Sequence, residues 1–145
     1  MEETFSAQIS LIINAPIEKV WQALVDPVIV KQYLHGTDLK TDWNIGAPIT
    51  WSGDWNGKAY EDKGIVLKYT PPSLVSTSHW SPLSGTEDTS ENYHIVTYTL
   101  SEHDSKTTLT LTQSNSPTQE DADSMIENGW RPILQTLKDL LENKT

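Results

Sequence analysis

Acid–base chemistry in this chain falls to four histidines and 20 carboxylates, because the sequence contains no cysteine. Zero Cys excludes a thiolate nucleophile, disulfides, and Cys-ligated zinc or iron–sulfur sites. The histidines are His35, His79, His94 and His103. No pair has the H-x-x-x-H spacing that puts two imidazoles on one metal, and no acidic residue sits at a telling offset. His79 precedes Trp80 in a β-like run, so the two side chains point to opposite faces. A Trp80 turned into a pocket turns His79 out of it, which counts against a catalytic His79. A general acid or base needs an inward carboxylate with a raised pKa. Glu87, Asp88, Glu91, Glu120, Asp121 and Asp123 read instead as solvated charge in a loop and at a helix start. Glu61 and Asp62 border the mid-chain strands and are the best placed of the carboxylates, although surface positions are expected for them too. There is no G-x-S-x-G elbow, no P-loop and no G-x-G-x-x-G fingerprint. Residues 53–57, with Gly53 and Gly57 four apart, read as a hairpin turn. No catalytic residue, no metal site and no cofactor is assigned.

The aromatic residues carry more signal. Six Trp and five Tyr stand beside one Phe. Tyr33, Trp43, Trp51, Trp80, Tyr98 and Trp130 could together line a cavity that stacks flat hydrophobic ligands. Met125 could supply an adaptable wall. Core packing explains any one of them equally well, and Trp21 is assigned to core because a helical stripe already accounts for it. A net charge of -10 argues against nucleic acid and against an anionic membrane surface. The start is acidic and the longest apolar stretch lies near residues 11–13, so neither a signal peptide nor a membrane span is expected. A cytoplasmic location is the default expectation.

The elements that must position these residues follow from periodicity. Phe5, Ala7, Ile9, Leu11 and Ile13 alternate with polar residues and predict a strand over 5–13. Pro16 opens a helix, capped by Asn14 or Ala15, whose stripe is Ile17, Val20, Trp21, Leu24 and Val25. Asp26-Pro27 starts a second short helix that ends near Leu34. Short strands and turns then occupy about a hundred residues, including strands over 64–69, 74–80, 93–100 and 107–113. The last two form a hairpin around His103-Asp104-Ser105. Residues 81–91 make a polar loop of mobile composition. A long helix follows, with Ser116 as cap, Pro117 at its first position and a stripe from Met125 and Ile126 to Leu141. Pro132 predicts a kink near Asn128. Strand, two short helices, about six strands and one long helix imply an α+β domain spanning 1–145.

That order, with four stretches of sequence, resembles the START-like (SRPBCC, Bet v 1-like) superfamily, and within it the activator of heat-shock-protein-90 ATPase homologue-like family. The stretches are 14–24 followed by Asp26-Pro27, then 64–80 containing Pro71-Pro72, then 94–113 containing Leu109-Thr110-Leu111-Thr112, then Gly129-Trp130 with the leucine stripe to Glu142. The loop at 81–85 looks like that of stand-alone, single-domain bacterial members. The resemblance implies a helix-grip fold: a curved antiparallel sheet wrapped around the C-terminal helix, with a cavity between them. It also implies a small hydrophobic partner, since superfamily members hold lipids, sterols, polyketides or flavonoid-like compounds there.

The expected function is therefore binding of a lipid-, polyketide- or flavonoid-like molecule by Tyr33, Trp43, Trp51, Trp80, Tyr98, Met125 and Trp130. The 81–91 loop would serve as a lid, and Trp80→Ala would weaken binding. A cyclase- or hydratase-like enzyme using the same cavity is the alternative, and needs an ionisable group facing it. A co-chaperone-type interaction module with a protein partner, linked to stress response, is a third reading. The namesake's relevant surface includes a further domain, for which no counterpart is expected in these 145 residues, and that counts against the third reading.

Overall fold

The computed structural model describes residues 5–34, 36–55, 57–82 and 85–142. His35, Asn56 of the expected 53–57 turn, and two residues of the 81–91 loop lie outside the described residues. The elements run β1 (Phe5–Ile13), α1 (Ile17–Val25), α2 (Pro27–Tyr33), β2 (Asp38–Lys40), β3 (Pro48–Trp55), β4 (Lys58–Thr70), β5 (Leu74–His79), β6 (His94–His103) and β7 (Lys106–Ser116). The C-terminal helix is continuous in three parts: α3 (Gln119–Ser124), a π-helical turn (Met125–Trp130) and α4 (Arg131–Glu142). The seven strands form one curved antiparallel sheet in the order β1-β7-β6-β5-β4-β3-β2. The architecture is α+β, as the element order predicts, in the helix-grip arrangement that the resemblance implies.

Alternation decides which face each strand buries. Ile9 and Ile13 of β1 pair beside Leu111 and Thr107 of β7 and are buried with them. Leu109 and Leu111 are wholly buried, whereas Thr108, Thr110 and Thr112 point the other way. Val20 and Ala23 of α1 and Leu134 and Leu137 of α4 close over this face and complete the core. The buried Thr107 hydroxyl donates to the Ala15 carbonyl at 2.8 Å, which satisfies the backbone just before α1. At the β6–β7 turn, Asp104 and Ser105 take φ of 52° and 65°, the left-handed pair that a two-residue hairpin requires.

Three expectations about element ends need correction. Pro16 is itself the N-cap of α1, with no side-chain cap bond. The orphan Ile17 N–H donates instead to Glu102 of β6 at 3.2 Å. Ser116 does not cap the last helix, because β7 continues through it, paired with Phe5. Thr118 is the cap, its Oγ1 accepting from the Asp121 N–H at 3.0 Å. Near Asn128 the helix widens into a π turn just before Pro132, whose missing N–H leaves the preceding turn free to open. The 53–57 segment is mostly strand: β3 reaches Trp55, which pairs with Lys58 at the start of β4, and Gly57 takes φ 79°.

β4 runs longer than expected, and Gly64 sits where it meets β5. A Cβ there would lie 1.8 Å from the Ser78 carbonyl oxygen, so only glycine permits this approach.

Candidate functional site

Leu134 and Leu137 of α4 are buried against the sheet, but the helix stands off it at the π turn and at Ile133. There a cavity of about 330 Å³ opens between the sheet, α2 and the C-terminal helix. Strand register selects its floor. Gln113 of β7 stands beside Val96 of β6, which stands beside Thr77 of β5, and all three face the cavity. Tyr98 pairs with Val75 and Trp51 pairs with Asp62 on the same face. Leu24, Val30 and Leu39 close one side, and Met125, Gly129, Trp130 and Ile133 close the helix side. The π turn widens the helix at the point where it covers the cavity.

Six of the seven aromatic and methionine candidates lie on this wall: Tyr33, Trp43, Trp51, Tyr98, Met125 and Trp130. Each is held by a specific contact or by position. Tyr33 is buried, and its hydroxyl donates to the Ala23 carbonyl at 2.6 Å. The Trp43 indole N–H donates to the Val25 carbonyl at 3.2 Å, and its ring stacks on Tyr69 at 5.4 Å. Trp130 meets Tyr98 edge-on at 6.2 Å and donates to Gln113 Oε1 at 2.7 Å. Met125 is more than a third exposed, at the edge of the wall. Burial raises the phenol pKa of both Tyr33 and Tyr98, and for Tyr33 the Tyr98 phenol adds to the rise. Neither phenol serves as an anionic base.

Trp80 corrects the expectation. It does not line the cavity. It bridges to Lys63 on the outer face, where its ring stacks on Tyr93 at 6.3 Å and lies 5.8 Å from the Lys63 ammonium. Its indole N–H donates to Thr86 Oγ1 at 3.1 Å. The opposition of neighbours was sound, but the parity is the reverse of the one expected: with Trp80 out, His79 faces in. The lid reading changes with it. Thr86 and Asp88 of the 81–91 loop are tied to this outer cluster, Asp88 by an ion pair with Lys63 and by the Tyr93 hydroxyl at 2.5 Å. Among the described residues of that loop, only Ser81 reaches the cavity wall. Trp21 is core, as expected, and packs against Tyr69 at 5.5 Å.

Asp62, His79 and Gln113 are among the polar wall residues that the sequence reading does not assign to the cavity. Asp62 and His79 meet at 2.9 Å, Oδ2 to Nε2, and Trp51 contacts the imidazole edge-on at 5.1 Å. The other Asp62 oxygen, Oδ1, is buried without a partner. His94 stands directly across from His79 on the neighbouring strand. Burial, and then His79, hold the His94 pKa below the usual imidazole range. Gln113 is 1% exposed, yet its Nε2 has no partner. The amide orientation follows from chemistry, since the Trp130 indole can only donate and so must meet the amide oxygen. Gln113 carried a readable signal: it falls on the same parity as Leu109 and Leu111 in a strict alternation. Asp62 carried one too, two residues from Gly64 and four from Val66. Among the described residues, no group of three or more His, Asp or Glu side chains could hold a metal ion. No described helix is long and apolar enough to cross a membrane.

A family model described as Activator of Hsp90 ATPase homolog 1-like protein matches residues 14–142. Among solved structures, ChR145 from Cytophaga hutchinsonii is 47% identical, with a TM-score of 0.84 over 99% of this chain and 98% of that one. CalU16 from Micromonospora echinospora is 22% identical, with a TM-score of 0.76 over 98% of this chain and 79% of that one. DynU16, a putative protein in the dynemicin biosynthetic locus, is 22% identical, with a TM-score of 0.77 over 95% of this chain and 47% of that one. The last two show a shared fold. Comparison with functionally curated proteins finds no match.

Proposed function

We propose that this chain, which belongs to the Activator of Hsp90 ATPase homolog 1-like family, binds a small hydrophobic molecule between its sheet and its C-terminal helix. The observation that carries this reading is the cavity of about 330 Å³, walled mainly by aromatic and aliphatic side chains with a few convergent polar groups. The fold likeness to DynU16, from a biosynthetic locus, is in keeping with a lipid-, polyketide- or flavonoid-like ligand. Burying about 300 Å² of apolar ligand surface at ~25 cal/mol/Å² gives ~7 kcal/mol before association costs, which points to micromolar affinity or weaker.

Intrinsic tryptophan fluorescence tests the reading, because Trp43, Trp51 and Trp130 all stand on the wall. Titration with a panel of lipids, sterols, flavonoids and polyketide-like aromatics should give saturable quenching or a blue shift for one chemical class. A flat response across the panel would overturn it and favour a protein-interaction role of the co-chaperone type.

One observation favours a second reading. An enzyme of cyclase or hydratase type needs an acid or base at the ligand, and Asp62 with His79 provides an ionisable pair on the wall. Turnover of whichever class binds, lost in His79→Gln with binding retained, would establish that reading.

A further inference from the structure

Most polar groups on the cavity wall spend their hydrogen bonds inside the protein. The Tyr33 hydroxyl and the Trp43 indole each donate to a backbone carbonyl of α1, and the Thr37 and Tyr60 hydroxyls meet at 2.6 Å. The Trp130 indole is spent on Gln113. Asp62 Oδ1 and Gln113 Nε2 lack partners, but both atoms are sealed within the wall, out of a ligand's reach. Tyr98 is different. It stands in the middle of the sheet, between Val75 of β5 and Leu111 of β7, and faces the cavity. Its hydroxyl makes no hydrogen bond to any described residue and, unlike the two sealed atoms, keeps accessible surface. Burial alone, with no hydrogen bond beside it, raises its pKa, so the proton stays on the phenol. The side chain is only half-buried, and this far from either sheet edge the surface it keeps is cavity surface. Thr77, one step along the neighbouring strand on the same face, carries a second hydroxyl without a partner among the described residues.

Resting on the cavity reading, we propose that the occupant carries a carbonyl oxygen, as an aromatic ketone or quinone does, and that this oxygen accepts a hydrogen bond from the Tyr98 hydroxyl. A phenol buried without an acceptor forfeits the hydrogen bond it had in water, and a ligand carbonyl restores it. A phenol donates better than it accepts, because its oxygen lone pair is delocalised into the ring, so the matching ligand group is an acceptor. The Thr77 hydroxyl can donate on the same face, where the strand register sets it diagonally from Tyr98. Trp130 meets Tyr98 edge-on at 6.2 Å, which gives the flat body of such a ligand aromatic surface beside the hydroxyl.

Calorimetric titration of the full chain with two probes of one shape tests this. 2-Acetylnaphthalene carries the carbonyl, and 2-isopropenylnaphthalene has a methylene in place of the oxygen. Tyr98→Phe removes only the hydroxyl. The ratio of the two affinities, ketone over alkene, should fall about fivefold from wild type to Tyr98→Phe, the usual worth of a neutral hydrogen bond. Taking the ratio cancels the greater hydrophobicity of the alkene, which is the same for both proteins. An unchanged ratio with both probes bound would overturn the inference and leave the cavity reading standing. Binding of neither probe would overturn both. Because the hydroxyl is unpaired within the protein, Tyr98→Phe should keep the thermal midpoint of the wild type. A midpoint lowered by about 3 °C or more, the loss expected for a hydrogen bond in a chain of this size, would show that the hydroxyl is already spent and overturn the inference. If Tyr98→Phe does not fold, the infrared carbonyl stretch of the ketone bound to wild type decides. It should lie below its position in an alkane solvent, and a stretch unmoved from that position would overturn the inference.

Discussion

Replacing Trp130 by Phe tests whether the polar bond on the cavity wall holds the π turn in place. The Trp130 indole N–H donates to Gln113 Oε1 at 2.7 Å, from the helix to β7. Gln113 is buried and its Nε2 already lacks a partner, so Trp130→Phe leaves both ends of a buried amide unpaired. Such a loss costs about 2 kcal/mol, and the void left by the smaller ring adds about 1 kcal/mol. Gln113→Leu behaves differently. It strands only the half-buried Trp130 N–H, removes an unpaired donor, and buries apolar surface on the parity of Leu109 and Leu111, so its net cost is about 1 kcal/mol. Additivity would put the double variant near 4 kcal/mol. The structure predicts about 1 kcal/mol, because with both partners apolar only the void remains. The coupling, about 3 kcal/mol, far exceeds the ~0.5 kcal/mol within which independent sites add. Urea unfolding of the four proteins, followed by far-UV circular dichroism, measures it, provided the m-values agree. Free energies that add would refute the reasoning. So would Gln113→Leu that fails to restore stability in the Trp130→Phe background.

Three other outcomes follow from particular contacts. Trp51→Ala should weaken the ligand that the fluorescence panel identifies by about tenfold or more, the worth of an aromatic wall residue, whereas Trp80→Ala should leave that affinity unchanged because Trp80 lies on the outer face; equal losses would misplace the site. Gly64→Ala should cost about 3 kcal/mol or abolish folding, since its Cβ would meet backbone at 1.8 Å, and a thermal midpoint like that of the wild type would contradict the β4–β5 packing. The Glu142 carboxyl accepts from Lys138 and from the Asn14 N–H, in that order of effect, and its pKa is held below the usual carboxylate value. A depressed carboxylate pKa stabilises the fold above the unfolded value and loses that contribution as pH falls through the folded one. Glu142→Gln should therefore be less stable than wild type at neutral pH, with the gap closing on acidification; a gap that does not change with pH would show that the carboxylate charge is not involved.

Much of the architecture was legible because it depends on local periodicity. The 5–13 alternation, the α1 stripe and the His103–Ser105 hairpin each express a preference that neighbours in sequence satisfy by themselves. Element ends were less legible, because long-range partners set them. Phe5 extends β7 through Ser116, and Glu102 replaces a local cap at Ile17. Among the candidate residues, the six on the wall were reachable from the aromatic excess together with the resemblance. Asp62 reads as a surface carboxylate because charge in a strand usually faces water, and Gln113 reads as polar although its parity matches that of two buried leucines.

The sequence by itself determined the strand and helix periods, the absence of cysteine chemistry and the relative opposition of His79 and Trp80. Alternation along a strand states that two neighbours face opposite ways; it does not say which of them faces in. That choice was made by tertiary structure, where the register of β4, β5 and β6 puts Asp62, His79 and Val96 on the helix side and sends Trp80 to Lys63 and Tyr93. The cavity itself, and its lack of any lysine or arginine among the described residues, depend on how far the C-terminal helix stands off the sheet at its π turn. No local preference encodes that separation, because it is fixed by the packing of side chains far apart in the chain.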